Sequence, residues 1–138
     1  MSRAFSLKGR RAVVTGGSRG IGGAASRLLA EAGADVCIGY HSRKADADVA
    51  LAECAAFGVK ATSCASDLTS PAGAGALVTH AVDALGGVDI LIHSAGIWPV
   101  EEVPVATLDD ARWARTMREN VDAMFFVDRK STRLNSSH

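Results

Sequence analysis

The sequence predicts an α/β fold: a doubly wound parallel sheet with helices on both faces. Three observations predict it. Short apolar runs alternate with helical patterns along the whole chain. The runs are continuously apolar, as strands covered on both faces are. The intervening helices are about 10–15 residues long, enough for right-handed crossovers between parallel strands.

The elements follow in order. Arg11 to Thr15 (RAVVT) reads as a buried strand. Gly20 to Ala32 places Ile21, Ala24, Ala25, Leu28 and Leu29 at helical spacing, and Gly33 stands where a left-handed residue closes a helix. Asp35 to Tyr40 (DVCIGY) is the second strand, and Lys44 to Phe57 an alanine-rich helix closed by Gly58. Val59 to Ala65 is the third strand. Ser70-Pro71 supplies an N-cap followed by proline at the first helical position. Leu77, Val78, Ala81, Val82 and Leu85 form that helix's apolar face, and Gly86-Gly87 ends it. Val88 to Ile92 is the fourth strand. Thr107 with Asp110 resembles a capping box opening a helix through Val127, with Trp113, Met117, Val121 and Phe125 along one side.

The stretch VTGGSRGIG, Val14 to Gly22, joins the first strand to the first helix. Gly16 permits a sharp exit from the strand, Gly20 lets a pyrophosphate approach the backbone, and Gly22 lets the helix pack closely. The helix start then offers unpaired N–H groups and a partial positive charge to phosphate oxygens. Many strand–helix junctions use glycine merely to turn. Placed after a buried strand and before an amphipathic helix, this one points to dinucleotide binding.

The spacing GxxxGxG differs from the general GxGxxG fingerprint. With Thr15-Gly16-Gly17-Ser18-Arg19-Gly20-Ile21-Gly22 as TGxxxGxG, the chain resembles the short-chain dehydrogenase/reductase family over roughly residues 6–127. Asp67-Leu68, after the third strand, stands where that family sets an acidic residue against the adenine. His93-Ser94-Ala95-Gly96 is similar to its NNAG motif with both asparagines replaced, and Asn120 falls at its helix asparagine. The resemblance implies a truncated Rossmann-like sheet of about four strands, order 3-2-1-4. It implies cofactor contacts from Gly16, Ser18, Arg19, Gly20, Ile21, Gly22, Asp67, Leu68, Ser94, Ala95 and Gly96. It gives Asn120 a catalytic part, helping to hold a water that relays protons to a lysine. His93, at a strand end, reads as a positioned polar residue.

An NAD site usually carries an acid after the second strand, for the ribose 2′-hydroxyl. Here that place is Tyr40, followed by His41, Ser42, Arg43 and Lys44, and no carboxylate appears before Asp46. Arg43, with Arg19 from the glycine turn, suits a 2′-phosphate. The expectation is NADP(H) preferred, with NAD(H) possible as a weaker ligand.

The family's chemistry needs a YxxxK pair, in which the tyrosine carries the substrate proton and the lysine lowers its pKa. The chain has one tyrosine, and Tyr40 to Lys44 does spell the pattern. It precedes even the third strand, whereas the family's pair lies beyond the asparagine helix, so the match is read as chance. The expectation is the amino-terminal part of an NADP(H)-dependent oxidoreductase acting on a carbonyl or alcohol, itself inactive. The alternatives are a non-enzymatic NADP-binding module or redox sensor, and an unrelated nucleotide or S-adenosylmethionine domain.

Composition narrows the partners. The charge balances to zero and no broad basic field exists for nucleic acid. Cys37, Cys54 and Cys64 have neither CxxC nor paired-histidine spacing, so they read as buried reduced thiols and no metal is expected. The start MSRAFSLKGRR lacks an apolar secretion core, and no run is long enough to span a membrane. A cytoplasmic protein is expected, its intact form a homodimer or homotetramer. Trp98 and Pro99 are candidates for the substrate border.

Residues 1–127 thus read as a partial NAD(P)-binding domain. Residues 128–138 (DRKSTRLNSSH) have no periodicity and are similar to the in-frame translation of sequencing-adapter DNA, so a disordered tail is expected there. The fourth strand should then stand as an apolar sheet edge.

Overall fold

A computed structural model describes residues 5–97 and 101–135. The order is β1 (Arg11–Thr15), α1 (Gly20–Glu31), β2 (Asp35–Tyr40), α2 (Lys44–Ala55), β3 (Ala61–Ala65), α3 (Pro71–Leu85) and β4 (Ile90–His93). A 3-10 turn (Val105–Thr107), α4 (Asp110–Met117), a π-helical turn (Arg118–Asp122) and α5 (Ala123–Asn135) follow. The four strands form one parallel sheet, ordered β3-β2-β1-β4. This is a Rossmann-like sheet, with β4 at its edge.

Strand alternation divides the core. Ala12 and Val14 of β1 and Val36 and Ile38 of β2 face α1 and α2, where Leu29, Ala30, Ala50 and Cys54 are buried. Val13 and Cys37 face the other way, onto Leu77, Val78, Ala81 and Leu85 of α3 and Val127 of α5. Both central strands are therefore covered twice, which is why they read as unbroken apolar runs. Burial pushes the Cys37 thiol up to about 12 and leaves it inert. Cys54 is also buried, whereas Cys64, on the edge strand β3, is only half-buried.

Local signals stop and start the helices as the sequence implies. Ser70 Oγ accepts from Gly73 N–H at 3.0 Å ahead of Pro71, and Gly86 closes α3 at φ 91°. Arg11 ties β1 to β4: its Nε donates to Asp89 Oδ2 at 2.9 Å and its Nη1 to the Gly86 carbonyl at 2.8 Å.

Several expectations need correction. Ile21 (85% exposed) and Leu28 (59%) face solvent; α1 packs through Gly22, Gly23, Ser26 and Leu29, because the small residues allow the closest approach to the sheet. The single helix expected from Thr107 is a 3-10 turn, α4, a π turn and α5. Its cap is Asp109, whose Oδ1 accepts from Arg112 N–H at 2.7 Å, while Thr107 Oγ1 donates to the Pro104 carbonyl. Trp113, Val121 and Phe125 are exposed, and the inward stripe runs through Ala123 and Val127.

Disorder from Asp128 is not what the structure has. α5 continues to Asn135, Ser131 is buried, and Leu134 packs against the α3 cluster. The polar tail still offers one apolar residue on the same stripe as Val127, and that extends the packing. Trp98 and Pro99 lie outside the described residues.

Candidate cofactor-binding site

The C-terminal ends of the parallel strands meet at the β1–β4 boundary, where the chain reverses its direction of winding. Ligands of open α/β sheets bind at such a point. A cleft of about 500 Å³ lies there, within the range of small-molecule sites.

The glycine turn forms its floor. Gly16 leaves β1 at φ 60°, and a Cβ on it would lie 3.0 Å from Ala95 Cα, so the turn rests directly on the strand-β4 loop. A Cβ on Gly22 would collide with the Gly16 carbonyl and crowd Ser94 Cβ. Gly22 therefore brings α1 onto the turn and the end of β4 as much as onto the sheet. Arg19 is the N-cap of α1 in an extended conformation, with no side-chain cap and no acid in the first turn. Ser70 caps α3 and Asp109 caps α4. The α1 start thus keeps its N–H groups for a ligand, which suits the phosphates of a dinucleotide.

Of the residues expected at the site, Gly16, Ser18, Arg19, Gly20, Ile21, Tyr40, His41, Ser42, Arg43, Asp67, Leu68, Ser94, Ala95 and Gly96 all line this cleft. Gly22 and Asn120 are not in its lining but touch it, Gly22 through Gly16 and Ser94 and Asn120 through Ile97. Sequence reading passed over Gly39, Ser66, Ile97, Glu119 and Ala123, which also line it. Gly39 was legible as a glycine inside a strand, a sign of close backbone approach. Glu119 and Ala123 had no signal of their own, since a π turn sets which residues face inward.

Arg43, the N-cap of α2, stands 3.7 Å from Asp46 on the surface, and Lys44 Nζ donates to Asp48 at 3.0 Å. Lys44 is thereby occupied along its own helix, and Tyr40 sits at the end of β2, two strands from β4. The Tyr40–Lys44 spelling makes no catalytic pair. Asp67 Oδ1 accepts from Thr69 Oγ1 at 2.6 Å and from Thr69 N–H at 3.0 Å. The Thr69 hydroxyl, then its N–H, holds the Asp67 carboxyl below its usual range, so it carries its charge at the cleft.

Two polar anchors hold the opposite wall. The fully buried Thr15 accepts, through Oγ1, from Ser94 N–H at 3.1 Å and Ala95 N–H at 3.2 Å, and lies 2.9 Å from His93 Nδ1. Asn120 Oδ1 accepts from Ile97 N–H at 3.0 Å, and its Nδ2 donates to Ile97 O at 3.0 Å and Thr116 O at 2.9 Å. The π turn aims that amide, and such turns recur at functional sites. Both Nδ2 hydrogens are committed, so the side chain positions the loop, and any water it helps to hold must donate to the second Oδ1 lone pair or bond the Asn120 backbone.

A sequence profile described as short chain dehydrogenase matches residues 10–135. The chain belongs to the short-chain dehydrogenase family. It is 35% identical over 124 residues to L-rhamnose 1-dehydrogenase (NADP(+)) of Thermoplasma acidophilum, covering 90% of this chain and 48% of that protein. A dehydrogenase/reductase from Sinorhizobium meliloti superimposes with a TM-score of 0.88 at 36% identity, over 94% of this chain and 50% of that one. A short chain dehydrogenase from Burkholderia cenocepacia in complex with NADP does so with a TM-score of 0.86 at 35% identity, over 93% and 51%. This short-chain dehydrogenase chain spans about half the length of the curated relatives it matches. No helix among its described residues is long and apolar enough to cross a membrane.

Proposed function

We propose that this chain is the cofactor-binding portion of an NADP(H)-dependent oxidoreductase that interconverts a carbonyl and an alcohol. The observation that carries the reading is the cleft itself. It sets the uncapped start of α1, the basic junction His41–Arg43 and Asp67 around one space. In that space the α1 amides would hold the pyrophosphate. Arg43 and Arg19 would meet a 2′-phosphate, and Asp67 with Leu68 would border the adenine. The related proteins named for NADP(+) or seen with NADP support the same choice.

The bound dinucleotide supplies or accepts the hydride. This chain's residues bind and orient it, and the Ser94–Ile97 loop walls the nicotinamide end. The chain holds no second tyrosine to act as proton donor, so as given it binds cofactor without turnover. In the intact protein we ascribe to it a small-molecule substrate, a cytoplasmic location and a homo-oligomeric state.

Calorimetric titration of the chain with NADPH and NADH tests the proposal. NADPH should bind on the order of ten-fold tighter, the worth of a charge-assisted contact or two. Arg43→Ala should weaken NADPH and leave NADH within about two-fold, because one phosphate contact is lost. A tighter NADH complex would overturn the preference.

A further inference from the structure

We infer that His93 is a positioning residue. Held as the neutral Nε2–H tautomer by Thr15, it locks the amides of the cleft-lining residues Ser94 and Ala95 onto β1 and makes dinucleotide binding sensitive to acid. The inference rests on the cofactor reading above and adds to it a residue and a proton.

A threonine hydroxyl has one proton and two lone pairs. Both lone pairs of Thr15 Oγ1 face N–H donors, those of Ser94 and Ala95 at 3.1 and 3.2 Å. The only bond it can make to His93 Nδ1, 2.9 Å away, is therefore as donor. Nδ1 must be bare, and the ring proton sits on Nε2, which is buried with no partner among the described residues. Thr15 is fully buried, so its hydroxyl proton has no water to turn to.

Protonating Nδ1 sets a second donor against the Thr15 proton. The hydroxyl must rotate, and its proton then faces the Ser94 and Ala95 amides. Ser94 N–H has a fallback in Thr15 O at 3.2 Å. Among the described residues, Ala95 N–H has no acceptor besides Thr15 Oγ1. The Ala95 backbone is also the surface against which Gly16 packs. Loss of this bond loosens the glycine turn and the opposite wall together.

Among the described residues no charge compensates the proton. On β1 the charged residue is Arg11, at the far end and paired with Asp89. α1 brings Arg27, paired with Glu53, and Glu31; the π turn brings Arg118, Glu119 and Asp122; α5 brings Asp128, Arg129, Lys130 and Arg133. The influences on His93 are burial, which lowers its pKa, and the Ala95 backbone, which partly offsets this. His41 and Asp67 also line the cleft, and a bound 2′-phosphate adds its own charge, so the test must subtract what these groups contribute to both proteins.

Nitrogen NMR of the histidine ring reads the tautomer in the free chain, and NADPH titrations at about pH 7.5 and 5.5 read the coupling. The comparison is with His93→Asn, whose Oδ1 can accept from Thr15 without titrating. Expected are an Nε2–H signature and an extra loss of NADPH affinity at the lower pH. That loss is at most roughly ten-fold, the limit for a group titrating below about 6.5. It should be absent in His93→Asn, each protein being compared with its own affinity at pH 7.5. An Nδ1–H signature, or equal acid loss in the two proteins, would overturn the inference. Failure of both proteins to bind NADPH at either pH would overturn the cofactor reading and the acid-sensitivity with it. The ring signature would still decide the Thr15–His93 bond separately.

Discussion

Asn120 grips Ile97 by both of its backbone groups, accepting from the N–H at 3.0 Å and donating to the carbonyl at 3.0 Å. One side chain thereby closes the loop that leaves β4, across 23 residues of sequence. Gly96 is part of the same arrangement, since a Cβ there would collide with Asn120 Oδ1.

Asn120→Ala removes all three hydrogen bonds and leaves part-buried backbone groups unpaired. A loss of about 1–3 kcal/mol in urea unfolding is expected. Asn120→Asp should also be less stable than the parent, because a carboxylate cannot donate to the Ile97 and Thr116 carbonyls. Parent-like stability in both variants would contradict the clamp.

Gly22→Ala and Gly20→Ala separate crowding from backbone strain. The first drives a methyl into the Gly16 carbonyl, at about 1–3 kcal/mol for overpacking. It should shift the Ser94 and Ala95 amide resonances. Gly20 has φ 60° but open space where its Cβ would be, so Gly20→Ala should cost about 1–2 kcal/mol from conformation alone. Its effect on the Ser94 resonance should be small.

Asp89 gives a pH dependence with a definite sign. Hydrogen bonding from the Arg11 side chain, aided by the Arg11 backbone and charge, lowers its pKa. Its stabilisation is therefore complete above the ordinary value of 3.8 and is lost as pH falls through the lower folded value. Asp89→Asn should be less stable than the parent by up to about 1 kcal/mol near neutrality, a partly exposed pair being screened. The gap should narrow as pH falls below 3.8, read from urea midpoints.

Hydrogen exchange tests the packing of α5. Amides from Val127 to Leu134 should exchange more slowly than coil, because Val127 and Leu134 pack with α3 and Ser131 is buried. Val127→Ala should lower stability by about 2 kcal/mol through lost methyl groups and the cavity they leave. Coil-like exchange beyond Asp128 would restore the disordered tail.

Most of the sheet was legible because its signals are local. RAVVT and DVCIGY are unbroken apolar runs, and Ser70-Pro71 and Gly86 mark the ends of α3 within a turn of where they act. The cleft's glycine floor and the Arg43 corner were legible for the same reason. The α4–α5 region was not. Trp113, Val121 and Phe125 advertise an apolar face, yet the inward stripe is the neighbouring one through Asn120, Ala123 and Val127. The π turn at Arg118–Asp122 rotates the register between the two helices, and periodicity alone carries no record of that.

By itself the sequence determined the alternation of strands and helices, the glycine turn at Gly16–Gly22 and the absence of an acid at Tyr40. Each is a property of residues a few positions apart, where backbone preference and side-chain period act directly. Only the tertiary structure decided that Thr15 meets His93 across 78 residues, that Asn120 is spent on Ile97, and that α5 runs on along α3. Those outcomes depend on which groups are left facing one another once the sheet has closed. Buried donors must then take the partners within reach.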